Sequence, residues 1–270
     1  MSARLAPGAI GKWFPTKWSE IVGNHEIKDH WRNMIQRGPM NTVISGPNGT
    51  AKTRMCQLGL RSMLCKHRID DLDPCGQCDT CRNSSGRMAS LSGIFVAIHD
   101  AACCVHMIDC DTVTPGELRQ LSRDSSIEDP KTIVYLDEID ALVRREAFNE
   151  IKNACDQSPA SWIGTAVSLK PKKVKGRRQP IVHWPPEMNR RFSRRIGTVL
   201  PNEVNLQAWI HERCREWEIN LENEQVVLDM VRRSKSRVRH VLEMLAIGAS
   251  NPGRTLTDSD IRSFNFVNPD

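Results

Sequence analysis

The sequence predicts an α/β protein: a parallel sheet wound with helices around a phosphate-binding loop, followed by a small all-helical domain. Three observations carry this expectation. The loop Gly46-Pro47-Asn48-Gly49-Thr50-Ala51-Lys52-Thr53 lies between a short apolar run and a helix-like stretch. The unbroken apolar and β-branched run Thr132-Ile133-Val134-Tyr135-Leu136 ends in Asp137-Glu138. From Asn202 onward the pattern changes to helices alone.

The elements follow in order. A helix is expected over His25 to Arg37, punctuated by Pro15 and Gly23 before it and Gly38-Pro39 after it. Asn41 to Ser45 opens the sheet. The loop at 46–53 fits Gly-x4-Gly-Lys-[Ser/Thr] except at Ala51, where glycine is usual. Such a loop turns backbone N–H groups inward, and the helix after it, Arg54 to Leu64, aims its positive end at the same place. Lys52 would reach the outer phosphates and Thr53 a magnesium ion. Cys65 to Arg82 reads as a polar, cysteine-studded loop, and 83–104 shows no clear pattern. Val105 to Cys110 alternates as a strand does. Thr114-Pro115-Gly116-Glu117 starts a helix with a capping Thr, an early Pro and a returning Glu.

The run 132–136 is apolar without alternation, the mark of a strand buried on both faces. A helix over Val143 to Cys155 and a strand over Trp162 to Val167 follow. Strands alternating with helices predict a parallel, doubly wound sheet. The last helices are placed near 203–216, 222–234, 236–247 and 258–264, with Thr257-Asp258 capping the final one. The boundaries are therefore 1–200 for the α/β nucleotide-binding domain, with a metal module at 65–82, and 201–270 for a helical lid.

Composition narrows the class. At 270 residues and 39% hydrophobic, the chain can fill a large core and a small one. No apolar run reaches membrane-spanning length, and the start of the chain lacks the apolar core of a secretion signal, so a cytoplasmic protein without membrane partners is expected. Ten cysteines then suggest metal binding or buried thiols over disulfides. Residues 1–150 hold 18 Lys+Arg against 19 Asp+Glu, whereas 151–270 hold 20 against 13. The basic second half suits a polyanion such as DNA, or merely a soluble basic surface.

The chemistry concentrates in six places. In an open α/β sheet, ligands bind beyond the carboxyl ends of the strands, where both the loop and Asp137-Glu138 lie. Asp137 would hold magnesium, and Glu138 would polarise the attacking water. Cys65, Cys75, Cys78 and Cys81 carry the short Cys-x2-Cys steps of a closed zinc tetrahedron, and His67 is a weaker substitute ligand. Cys103, Cys104 and Cys110 form either a second cluster or incidental thiols. Arg190, Arg191, Arg194 and Arg195 crowd one window, as a finger for a neighbour's phosphate site or as basic surface. Arg237 and Arg239 could serve a lid or sit on a solvated helix face. The segment 170–178 has six cations and no aromatic residue, which fits phosphate-backbone contact or a solvated loop.

Together these residues resemble AAA+ clamp-loader ATPases, most of all the bacterial DNA polymerase III gamma/tau type, from about Lys12 to about Ser250. Phe14-Pro15-Thr16-Lys17-Trp18-Ser19-Glu20-Ile21-Val22-Gly23 is similar to the opening that touches adenine in that family, which assigns Val22 to the base. The four-cysteine module directly after the loop helix is the most specific shared feature. Ile108-Asp109-Cys110-Asp111 resembles a family strand. Ser193-Arg194-Arg195 is similar to the Ser-Arg-Cys motif and makes Arg194 the arginine finger; Arg239 matches the lid arginine.

The chain departs from the family at Arg195, at the basic insertion 170–178, and at Val167-Ser168, where a polar sensor is usual. It also stops near 270, before the family's helical collar, so the usual assembly scaffold is expected to be missing. The resemblance implies ATP, Mg2+ and Zn2+ as cofactors. The implied partners are other clamp-loader subunits, a sliding clamp and primed DNA. Three rival readings stay open: a structural subunit that binds ATP without turnover, another AAA+ DNA-associated ATPase, and a nucleic-acid-binding module built on zinc and the basic loop.

Overall fold

The computed structural model describes residues 15–82, 94–99, 104–121, 123, 127, 129–144, 147–167 and 188–264, with side chains of 94–99 and a few helical positions excepted. The chain divides into two compact units, one formed by 25–47 and 52–198, the other by 15–24, 48–51 and 199–264.

In the first unit, α1 (His25–Arg37) leads to β1 (Thr42–Ser45) and then α2 (Lys52–Leu64). β2 (Ile94–His99) and β3 (Cys104–Asp109) precede α3 (Pro115–Leu121) and β4 (Ile133–Asp137). α4 (Asp140–Arg144), α5 (Phe148–Gln157), β5 (Ser161–Ala166), α6 (Met188–Arg191) and β6 (Arg194–Gly197) complete it. The six strands run in the order β2-β3-β4-β5-β1-β6. β4 is buried at every residue, as its unbroken apolar run requires, and pairs parallel to β3 and β5. β1 lies between β5 and β6, parallel to both.

Three departures from the sequence expectation appear here. The sheet is not wholly parallel: β2 pairs antiparallel with β3 and forms one edge, in a segment that showed no clear pattern. β6 is a strand where only an arginine cluster was seen; its burial pattern leaves Ile196 alone facing inward, too little to show a period. The helix expected over Val143 to Cys155 is two helices, and the Ala147 N–H reaches back five residues to Leu142 O (3.0 Å), a wider turn than an α-helix makes. The Thr114 cap forms as expected: Glu117 Oε2 accepts from the Thr114 N–H and hydroxyl, both at 2.8 Å.

α1 and α2 pack through an unexpected glycine. Gly59 is helical and buried, and a Cβ there would lie 2.1 Å from the Trp31 ring. The missing side chain makes room for a fully buried indole. His30 of α1 also meets Thr42 of β1, with Nε2 3.0 Å from Oγ1.

The second unit has its own core. α7 (Glu203–Glu216), α8 (Glu224–Ser234), α9 (Val238–Ser250) and α10 (Asp258–Ser263) surround Leu206, Ile210, Val227, Met230, Val241 and Leu245. Caps set three starts: Asn202, Asn223 and Thr257 accept from the third backbone N–H of α7, α8 and α10. The unit is not helices alone, because β7 (Asn220–Leu221) and β8 (Thr255–Leu256) form a short parallel pair. No helix among the described residues is long and apolar enough to cross a membrane.

Candidate nucleotide site and cysteine centre

The loop follows β1 directly. Gly46 is needed for close approach: a Cβ there would sit 2.0 Å from Thr198 Oγ1 and 2.7 Å from Thr198 O. Gly49 turns with φ +83, and a Cβ on it would meet Arg237 at 3.0 Å. Ala51 also takes a left-handed φ of +64, so the usual glycine is replaced by a residue that pays a steric cost for the same turn. Pro47, Asn48 and Thr50 fill the rest of the loop. Lys52 begins α2 and is buried; its Nζ donates to Gly46 O (2.9 Å) and Pro47 O (3.0 Å). Burial lowers its pKa, while the negative charges of Asp140, Glu138 and Asp137 oppose that shift.

β4 delivers the acidic pair. Thr53 Oγ1 lies 2.9 Å from Asp137 Oδ1 and 3.1 Å from Oδ2. Asp137 is buried, yet its Oδ1 also accepts from Tyr135 OH (2.7 Å) and Thr165 Oγ1 (2.5 Å). Glu138 is exposed and holds a left-handed φ of +53; its N–H donates to Thr165 Oγ1 at 2.9 Å. Asp140 Oδ1 accepts from the Val167 N–H at 3.1 Å, so Val167 contributes backbone rather than a polar side chain.

A hydroxyl, a carboxylate and a buried ammonium at the carboxyl ends of β1 and β4 suit magnesium and polyphosphate: hard oxygen ligands for the one, charge-assisted donors for the other. Tyr135 and Thr165 were missed in the sequence. Tyr135 could have been found, since residues two apart on a strand share a face and Asp137 follows it by two. Thr165 could not, because its contact depends on β5 lying beside β4.

The other residues singled out in the sequence fall in both units. Arg194 is exposed on the edge strand β6, in register with Thr42, and Arg195 follows it opposite Val43. In the second unit, Val22 is partly buried against the helical core. Arg239 is exposed on α9 and pairs with Glu243 at 3.4 Å. Arg237, the N-cap of the same helix, stacks its stem on Gly49. The basic segment 170–178 and Cys103 lie outside the described residues.

Four sulfurs converge beside α2. Those of Cys65, Cys75, Cys78 and Cys81 all lie within 4.8 Å of one another. Cys65–Cys78 and Cys75–Cys81 are 4.0 and 3.9 Å apart, close to the edge of about 3.8 Å that zinc–thiolate bonds of about 2.3 Å impose on a tetrahedron. N–H groups of Cys78 and Gln77 donate to Cys75 Sγ (3.3 and 3.4 Å) and lower that thiol to about 6. Among the described residues no other group of His, Cys, Asp and Glu is so arranged. His67 is outside the cluster, Cys110 is buried, and Cys104 Sγ is 3.5 Å from His106 Nε2.

No family model matches the chain. It is 25% identical over 166 residues to the DNA polymerase III subunit tau of Salmonella typhimurium, and 24% identical over 166 residues to that of Escherichia coli. In both cases 60% of this chain and 24% of the relative are covered, so it spans about a quarter of their length. A shorter match, 29% over 72 residues, is to Protein STICHEL-like 3 of Arabidopsis thaliana. Among solved structures, the RuvB Holliday junction branch migration motor of Thermotoga maritima superposes with a TM-score of 0.53 over 92% of this chain and 70% of that one, at 12% identity. A mutant of the same motor reaches 0.56. At that identity the match speaks for the fold alone: an α/β sheet, parallel but for one edge strand, followed by helices. The chain is thus similar in sequence to DNA polymerase III subunit tau and similar in fold to the RuvB motor.

Proposed function

We propose that this chain is a subunit of an ATP-dependent DNA sliding-clamp loader, binding and hydrolysing Mg-ATP within a multi-subunit arc on primed DNA during replication. The observation that supports it most is the contact from Thr53 Oγ1 to Asp137, which joins the phosphate loop to the acidic strand end. The loop 46–53 cradles the phosphates with backbone N–H groups, and Lys52 turns its ammonium from Gly46 O and Pro47 O to the outer phosphates. Thr53 and Asp137 hold magnesium, which when bound supplies positive charge beside the phosphate oxygens. Glu138 takes a proton from the attacking water as the bond from the outer phosphorus to ADP breaks. Val22 belongs to the segment that meets the base.

The wider assembly rests on the likeness to tau. Residues 1–200 form the nucleotide domain and 201–270 its lid, with Arg239 as the lid arginine. Arg194, exposed on an edge strand, serves the site of a neighbouring subunit rather than its own. The Cys65–Cys81 module holds a structural zinc ion. Partners are further loader subunits, a sliding clamp and primed DNA, in the cytoplasm. ATP turnover of the purified chain tests this. Stimulation by primed DNA and clamp together supports loading, and a rate indifferent to DNA removes it.

A second reading, a subunit that binds ATP without turnover, draws support from the apolar Val167 at the end of β5. Glu138→Gln separates the two: it abolishes turnover and traps ATP in the first case and changes nothing in the second.

A further inference from the structure

The hydroxyl of Thr165 stands between the two acidic residues. It donates to Asp137 Oδ1 at 2.5 Å and accepts from the Glu138 N–H at 2.9 Å. The same residue's carbonyl accepts from the Ile139 N–H at 2.8 Å. Three bonds from one residue of β5 therefore fix Asp137, Glu138 and Ile139. Between them lies Glu138 at φ +53, a backbone conformation that residues other than glycine seldom hold unless their surroundings enforce it. Thr165 is almost wholly buried, as is Tyr135, so neither hydroxyl has water as an alternative partner.

The donors on Asp137 are not equivalent. Oδ1 receives Tyr135 OH, Thr165 Oγ1 and Thr53 Oγ1, one more than its two lone pairs accommodate well. Thr53 is the shared one, since it also lies 3.1 Å from Oδ2. Drawing the Thr53 hydroxyl away toward a metal leaves Oδ1 with its full complement from β4 and β5. The carboxylate then keeps its place while its second oxygen becomes available.

We propose that Thr165 is a positioning residue for the acidic pair, a hydroxyl supplied from inside β5 where the expected polar side chain at 167 is a valine. This rests on the reading of 46–53 and 137–138 as an Mg-nucleotide site. Tyr135 holds the same carboxylate from its own strand, and together they set the direction in which Asp137 and Glu138 face.

The test uses the full chain and its Thr165→Val, Thr165→Ala and Thr165→Ser variants, each checked by melting temperature. Affinity for a fluorescent ADP is measured with and without magnesium, the Mg2+ concentration for half-maximal binding is titrated, and ATP turnover is followed. Thr165→Val and Thr165→Ala raise the Mg2+ requirement and lower turnover by about 10- to 100-fold, the usual effect of removing a residue that orients a ligating group. Magnesium-free affinity is unchanged, and Thr165→Ser recovers most of the loss. A serine variant as impaired as the valine variant overturns the proposal, because packing rather than the hydroxyl then matters. So does an equal fall in magnesium-free affinity, or no effect in any variant. If the wild type binds nucleotide without turnover, the Mg2+ requirement alone decides. A folded wild type that binds no nucleotide at all overturns the underlying reading before any variant is compared.

Discussion

Thr53 and Asp137 stand 84 positions apart in the chain and meet at 2.9 Å. One is the second residue of the helix after the phosphate loop; the other is the last residue of a fully buried strand. β5 separates β1 from β4 in the sheet, so the meeting is set by sheet order and not by chain proximity. A rigid apolar strand carries the carboxylate, and a helix start carries the hydroxyl.

Lys52 Nζ donates to two carbonyls of its own loop, Gly46 O and Pro47 O, and its removal is expected to spare the fold. Lys52→Met is expected to weaken Mg-ADP binding about 10- to 100-fold, the loss of one charge-assisted contact worth roughly 1.5–3 kcal/mol. Fluorescence titration measures this, and circular dichroism should show an unchanged fold. Undiminished affinity would remove Lys52 from the site.

Ala51 holds φ +64. Glycine adopts that conformation without a Cβ clash but gives the unfolded chain more freedom. The steric relief of about 1–2 kcal/mol exceeds the entropic cost of about 0.4–1 kcal/mol, so Ala51→Gly should stabilise the protein by about 0.5–1 kcal/mol. Urea unfolding with an unchanged m-value reads the difference; a destabilised variant would contradict the left-handed turn.

His30 is pushed down to about 4, by burial first and by the positive charge of Arg194 second. The unfolded imidazole takes its proton near 6.5, the folded one only near 4. Between those values the unfolded state binds more protons, so this contribution to stability is intact above about pH 6.5 and lost as pH falls toward 4. His30→Gln should therefore show a flatter decline of the urea midpoint across that window than the wild type. Parallel curves would mean that His30 titrates normally.

The cysteine centre predicts one metal ion per chain, measurable by elemental analysis. Cobalt substitution should give the absorption of a tetrahedral thiolate site, and Cys78→Ser should weaken or abolish it. Chelation should lower the melting temperature, because four close thiols without a metal have no comparable bond to replace it. A melting curve indifferent to chelator in a metal-containing sample would make the centre dispensable for folding.

The sequence alone determined what depends on neighbouring residues. The glycine loop, the apolar run of β4, the cysteine spacing and the caps at Thr114 and Thr257 each act within a few positions, and each forms where those residues placed it. Tertiary structure decided the rest. β2 and β6 form the two edges of the sheet; burial imposes little pattern on β6, where a single inward Ile196 was not enough to reveal a strand. The stacking of Arg237 rather than Arg239 on Gly49 follows from where α9 begins, which no spacing rule fixes to the residue. Gly59 has meaning only against Trp31. Thr165 reaches the acidic pair because β5 lies beside β4, and strand order arises from the packing of the whole sheet, a long-range choice that local periodicity does not encode.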